Sequence, residues 1–192
     1  MPEAHAPGTA LRADAARNRA RVLAAAGDVF AEQGPNAQLL DIARRAGVGA
    51  GTVYRHFPTK EALYVQVVAT RLADLLDRAD ALAAEREPAD AFFAFWGLAV
   101  DEACRNAALC EAFASATGEE HRVPDEVETR YRRTLGGMLE AARAAGAVRS
   151  DITLADAFAL LAASVTAEMR RAGDDRPGRL TGMVADALRP GV

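Results

Sequence analysis

The hydrophobic pattern along the chain is that of helices. Over residues 14–33, Val22, Leu23, Ala26, Val29 and Phe30 form one inward stripe, which Gly34-Pro35 stops. Leu40, Ile42, Ala43 and Ala46 recur at helical spacing over about 39–46, and Val53 and Phe57 turn inward at i and i+4 of a helix over about 50–57. Pro58 ends that helix, because it lacks the N–H and disfavours helix at the residue before it. A long helix over about 60–84 carries Leu63, Val67, Leu72, Leu75, Leu76 and Leu82, with Thr59 as N-cap and Glu61 in its first turn. After a break at Glu85-Arg86-Glu87-Pro88, five more helices are predicted, over about 89–103, 105–116, 125–145, 154–172 and 177–188. Asn106 falls near the junction of the first two, so one kinked helix is also open. Gly146 ends the third, Thr153 and Asp156 resemble a capping box, and Gly173 to Pro177 form a turn. The expectation is an all-α chain of about nine helices, with residues 1–13 a disordered tail, 14–66 a three-helix head and 67–192 a larger helical body.

The second and third helices meet in a distinctive turn. Gly47 follows the last apolar residue of its helix, where a left-handed residue is least costly for glycine; Val48 plugs the corner, and Gly49 and Gly51 let the backbone turn tightly. Two short helices joined this way, with hydrogen-bonding groups outward on the second, make a helix-turn-helix that reads double-stranded DNA. Thr52 and His56 lie one turn apart, Tyr54 offers a ring and a hydroxyl, and the fork of Arg55 suits guanine or phosphate. Lys60 lies just beyond, where an ammonium meets the phosphate backbone. Glycines at 47, 49 and 51 would also suit a phosphate-cradling loop, but no strand precedes them and the P-loop lysine spacing is absent. Any one of these outward side chains could be an ordinary solvated residue; the ordered set points to DNA.

The run Ile42-Ala43-Arg44-Arg45-Ala46-Gly47-Val48, then Gly51-Thr52-Val53-Tyr54-Arg55-His56-Phe57, then Lys60-Glu61-Ala62-Leu63 resembles the N-terminal domain of TetR-family (tetracycline-repressor-like) regulators over about residues 15–66. The resemblance implies a DNA-binding set of Arg44, Gly51, Thr52, Tyr54, Arg55, His56 and Lys60. It also implies a capping serine or threonine at the position of Leu39, which leucine does not replace, and Gln38 is a poor substitute. Arg17, Arg19 and Arg21 crowd the start of the first helix against its macrodipole; phosphate contact and a solvated face are both open for each.

Composition changes the picture in three places. Alanine and leucine dominate and β-branched residues are sparse, which supports helices. The net charge of −4 opposes DNA binding until it is divided. Residues 1–66 hold eight Arg and Lys against six Asp and Glu, and the rest hold fifteen against twenty-one, so a slightly basic head sits on an acidic body. Such a modest head implies two heads acting together. Finally, no stretch reaches eighteen apolar residues, and the first dozen residues lack a signal peptide's apolar centre, so no membrane contact and a cytoplasmic location are expected. Cys104 and Cys110 read as reduced core residues.

In the body, Phe92, Phe93, Phe95 and Trp96 span about 160° of one helix, wider than one packing stripe needs. Together with Phe113, Tyr131, Met138 and Phe158 they make either a bulky core or the wall of an apolar pocket. The family resemblance implies the pocket, with Phe92, Phe93, Trp96, Phe113, Met138 and Phe158 as its candidate residues and a small, largely apolar effector; Asp101, Glu102 and Glu111 leave a cationic one open. On the last two helices, Leu161, Val165 and Met169 with Leu180, Val184 and Leu188, interspersed with small residues, suggest a four-helix homodimer interface, as the family also uses. No His, Cys or carboxylate spacing suits a metal, no serine has an elbow or base, and adjacent Cys110 and Glu111 point about 100° apart on a helix, so neither enzyme nor cofactor is expected. Two functions remain open: an effector-responsive transcriptional repressor, or a DNA-binding adaptor whose body binds another protein.

Overall fold

The computed structural model describes residues 7–33, 36–105, 123–171 and 176–191. The chain divides into two compact units, residues 1–67 and 68–192. Among the described residues there are eight helices and no strand.

The first unit holds α1 (Pro7–Gln33), α2 (Leu39–Ala46), α3 (Ala50–His56) and the start of α4 (Lys60–Glu85). Helix α1 begins seven residues before the expected start, inside the stretch predicted to be a tail. Proline suits a first helical position, and although Gly8 is a poor helix former, Thr9-Ala10-Leu11-Arg12-Ala13 after it holds no breaker. Val22, Ala26, Val29 and Phe30 of α1, Ile42 of α2, Val53 of α3 and Leu63 of α4 are buried together in this unit, with the Phe30 and Tyr64 rings edge to face at 5.2 Å. The inward stripe of α2 is Leu39, Ile42, Ala43 and Ala46, spaced i, i+3, i+4 and i+7; Leu40, expected inward, is 60% exposed. Helix α4 is capped as expected, the Thr59 hydroxyl accepting from the Ala62 N–H at 3.1 Å.

The second unit holds the rest of α4, α5 (Pro88–Arg105), α6 (Asp125–Ala144), α7 (Leu154–Arg170) and α8 (Arg179–Ala187). Asn106, Cys110 and almost all of the helix expected over 105–116 lie outside the described residues. Cys104, expected in a core, is exposed near the end of α5. The stripe Phe92, Phe95, Trp96, Ala99, Val100 and Ala103 of α5 is buried against Leu72, Leu75 and Leu76 of α4, Leu135 and Leu139 of α6, and Leu161 and Val165 of α7. Burying each large apolar side chain contributes about 1.5–3 kcal/mol, so this cluster dominates the unit's stability.

The end of α6 and the starts of α7 and α8 are fixed by identifiable chemistry. Gly146 takes φ 70° after α6, and the N–H groups of Gly146 and Ala147 reach back to the Arg143 and Ala142 carbonyls at 2.9 Å. The capping box at α7 is formed: Thr153 N–H donates to Asp156 at 2.9 Å, and Asp156 N–H to the Thr153 hydroxyl at 3.2 Å. Helix α8 has no side-chain cap of its own at Gly178. Instead Glu168 of α7 accepts from the Thr181 N–H at 3.0 Å and the Thr181 hydroxyl at 3.2 Å, and lies 3.2 Å from Arg171. A carboxylate there also meets the positive end of the helix.

Only 7% of the Glu168 side chain is exposed, and burial alone would raise its pKa. The hydrogen bonds from Thr181, Gly178 and Leu180 outweigh that and hold it below its ordinary value of 4.5. Its contribution to stability is therefore present above pH 4.5 and lost as pH falls through the lower folded value. Glu168→Gln is expected to destabilise the body by about 1–3 kcal/mol at neutral pH and to raise hydrogen exchange first in α8. Unchanged exchange in α8, with the acid sensitivity intact, would show that the clamp does not hold that helix.

Candidate nucleic-acid interface

The turn between α2 and α3 is fixed from two sides. Gly47 takes φ 64° and ψ 38°, and the N–H groups of Gly47 and Val48 return to the Arg44 and Ala43 carbonyls at 3.2 and 3.1 Å. From α1, the Arg21 guanidinium donates to the Ala46 carbonyl at 2.6 Å and to that of Gly47 at 3.3 Å. The left-handed conformation requires glycine at Gly47, and a Cβ there would lie 2.7 Å from Arg21 Nη2 and displace the end of that flexible side chain. The cap position of α2 falls on Gln38, in extended conformation, and not on Leu39; the Gln38 side chain makes no cap and donates to the Asn36 carbonyl at 3.3 Å.

The arginines at the start of α1 have partners within the head. Arg17 pairs with Asp14, and Arg19 donates to Gln66 at 2.7 Å with its guanidinium 5.4 Å from the Phe57 ring centre. Arg21 closes the end of α2. A cation at a helix C-terminus is electrostatically favourable, which accounts for Arg21 although it opposes the dipole of its own helix. Arg45, the neighbour of Arg44, is drawn onto α1 by a bidentate pair with Glu32 at 2.6 and 2.8 Å, which lowers the Glu32 pKa.

What is left outward is the predicted reader. Tyr54 is 55% exposed, Arg55 and Gly51 are exposed, and Thr52, His56 and Lys60 are half-buried, while Val53 and Phe57 anchor the helix beneath them. The Arg44 side chain is 74% exposed and lies 3.0 Å from Asp41 one turn earlier.

Gly49 and Gly51 differ in kind from Gly47. Gly49 has φ −69° and ψ 146°, open to any residue, and Gly51 sits inside α3 without a positive φ. A Cβ at either position would meet nothing within 4 Å. Glycine inside a helix costs up to about 1 kcal/mol relative to alanine, and nothing in the head explains accepting that at Gly51. A bare position there leaves the start of α3 open to close approach, as Gly97 and Gly137 leave their own helices open in the body.

In the body, Phe92, Trp96 and Met138 are buried and Phe93 and Phe158 half-buried, while Phe113 lies outside the described residues. The rings pack on one another: Phe92 lies 5.8 Å from Trp96 and 5.2 Å from Phe93, and Tyr131 lies 5.0 Å from Phe158, centre to centre. Two guanidiniums cover the half-buried pair, Arg189 at 3.8 Å over Phe93 and Arg132 at 5.3 Å over Phe158.

The expected dimer residues divide. Leu161, Val165 and Leu188 belong to the chain's own core and offer no outer surface, Leu180 and Val184 are half-buried, and Met169 is exposed. The outer faces are Ala155, Ala159, Ala163 and Thr166 on α7, and Gly182 and Met183 on α8. Apolar periodicity finds a buried face; the signal for the outer one was the spacing of four between Ala155, Ala159 and Ala163.

The first unit is thus a three-helix helix-turn-helix module, with an outward second helix stripped of side chains at its start. A model of bacterial regulatory proteins of the tetR family matches residues 22–67, and one of the SbtR-like transcriptional regulator C-terminal domain matches residues 87–190. The chain is 30% identical over 150 residues to the HTH-type transcriptional repressor KstR2 of Rhodococcus jostii, covering 74% of each protein. It also resembles the crystal structure of a TetR regulator from Mycobacterium vanbaalenii, with a TM-score of 0.68 and 41% identity over 94% of this chain and 99% of that one. The TetR regulator SCO0520 of Streptomyces coelicolor gives a TM-score of 0.67 and 37% identity over 91% and 99%. The chain belongs to the TetR family of bacterial DNA-binding transcriptional regulators.

Gly51→Ala is expected to leave the head as stable or up to about 1 kcal/mol more stable, and to weaken DNA binding by roughly tenfold or more. Gly47→Ala is expected to destabilise it instead, since the left-handed conformation costs about 1–2 kcal/mol and Arg21 must move. Denaturant unfolding and DNA titration on the same preparations separate the two. Unweakened binding by the Gly51 variant would remove the close-approach argument.

Proposed function

We propose that this regulator is a homodimeric repressor that reads a palindromic operator through α3 and leaves it when a small, largely apolar molecule enters the body. The DNA-reading part is carried by one observation: α3 turns its polar groups outward and keeps, at Gly51, a bare position that the fold does not need. In this reading Thr52 and Arg55 meet base edges, Gly51 admits the backbone, and Arg44, Tyr54, His56 and Lys60 hold phosphate.

A head with little excess charge needs a second copy to bind firmly, and the outer faces of α7 and α8 offer small residues on which two chains can pack closely. Two heads then match half-sites about 34–36 Å apart, or a multiple of that. The division between the units falls inside α4, between Val67 and Val68. An effector that displaces Leu72, Leu75 and Leu76 acts on the same continuous helix that begins at Lys60. A coupling of about 1–3 kcal/mol loosens DNA about 5- to 150-fold, and operator DNA must weaken the effector by the same factor. Such a protein works in the cytoplasm, beside the chromosome; no described helix is long and apolar enough to cross a membrane.

Two sets of variants test this. Thr52→Ala and Arg55→Ala are each expected to cost about 1–3 kcal/mol on the cognate duplex and to relax sequence preference. Lys60→Ala and His56→Ala should weaken all sequences alike, and Lys60→Ala should reduce the salt slope by about one. If all four bind the cognate duplex unchanged, DNA is read elsewhere. For the dimer, Ala163→Glu or Met183→Glu is expected to give folded monomers by light scattering; dimers that persist in both variants would move the interface off these helices.

A further inference from the structure

We infer that Trp96 is the polar anchor of the effector site, its indole N–H donating to a neutral acceptor oxygen, of the ketone or ester carbonyl type, on an otherwise apolar molecule. This rests on the effector reading above and narrows it. Trp96 is 1% exposed, and among the described residues its buried Nε1 has no hydrogen-bond partner. The indole has one polar atom, so no other group on the side chain compensates. Buried donors are ordinarily paired, because water is given up on burial and must be replaced. Phenylalanine, used at three nearby positions of the same helix, would carry no such burden.

The helix that carries Trp96 offers no side-chain group beside it to hold an ordered water in place of the missing acceptor. A buried water needs two to four polar partners. The neighbours of Trp96 on α5 are Phe92, Phe95, Ala99 and Val100, all apolar and all in the core. A molecule that supplies apolar surface and one acceptor answers both needs at once.

The nearby charges argue against a cationic effector. Glu102 is engaged by Arg78 at 3.4 Å and Arg105 at 3.6 Å, and Asp101 is exposed. Full anions are disfavoured as well, since one N–H does not replace the hydration of a charge.

Trp96 is the only tryptophan, so the full-length chain labelled with nitrogen-15 at the indole gives a single indole resonance. It would be titrated with 2-decanone and, separately, with decane, which matches it in size but lacks the oxygen. The ketone is expected to bind about fivefold more tightly or better, the equivalent of roughly 1 kcal/mol for one neutral hydrogen bond, and to move the indole proton downfield. In Trp96→Phe the two probes should bind within about twofold of each other. Equal binding of both probes to the native chain, with the indole proton unmoved, overturns the role of Trp96 and leaves the body as an effector site. If neither probe shifts the resonance or the melting temperature, the apolar effector site itself is wrong and this inference falls with it. The indole shift is read on the native chain, so the outcome does not depend on the variant folding.

Discussion

The reading helix depends on one charged group placed at the end of its short neighbour. Helix α3 has seven residues, far fewer than an isolated helix needs to persist in water, so its direction must be imposed by its surroundings. Val53 and Phe57 hold its underside, but where it begins is decided by where α2 stops. That stop is the left-handed Gly47, and the carbonyls there are closed by Arg21 reaching across from α1. The guanidinium supplies donors to groups that would otherwise face water, meets the negative end of α2, and fills the space a side chain at Gly47 would take. Three requirements converge on one contact.

Much of this is legible in the sequence, and the exceptions have physical causes. The glycine turn, the inward Val53 and Phe57, the Thr59 cap and the Thr153–Asp156 box all follow from local spacing, and each is formed. Leu40 faces outward against expectation because two adjacent leucines leave the phase of an eight-residue helix open by one residue; the buried stripe runs through Leu39 instead. The role of Arg21 is not readable from spacing, since its acceptors lie 25 and 26 residues away. Glu168 is a similar case: nothing near it in sequence announces that it caps α8. For the last two helices, hydrophobicity points to Leu161 and Val165, which the chain buries for itself.

The two units use glycine and aromatic residues in opposite ways. The head forgoes some helix stability at Gly51, where the start of α3 is left open. In the body, Phe92, Phe95 and Trp96 supply a large share of the buried surface, yet the same cluster leaves a buried donor unanswered. Local inconsistencies of this kind mark the places where folding is not the only requirement.

The chain carries 23 basic residues, and all but Lys60 are arginines. Guanidiniums are poor nucleophiles because their charge and lone pairs are delocalised, so reagents that attack amines have one side-chain address, the first residue of α4. Formaldehyde, activated esters and acetyl donors would therefore act at the head and leave the body's ion pairs untouched. Amine coupling to a sensor surface would tether this protein by Lys60 or by its α-amino group, and a cysteine or an affinity tag is the better handle for measuring how it meets DNA.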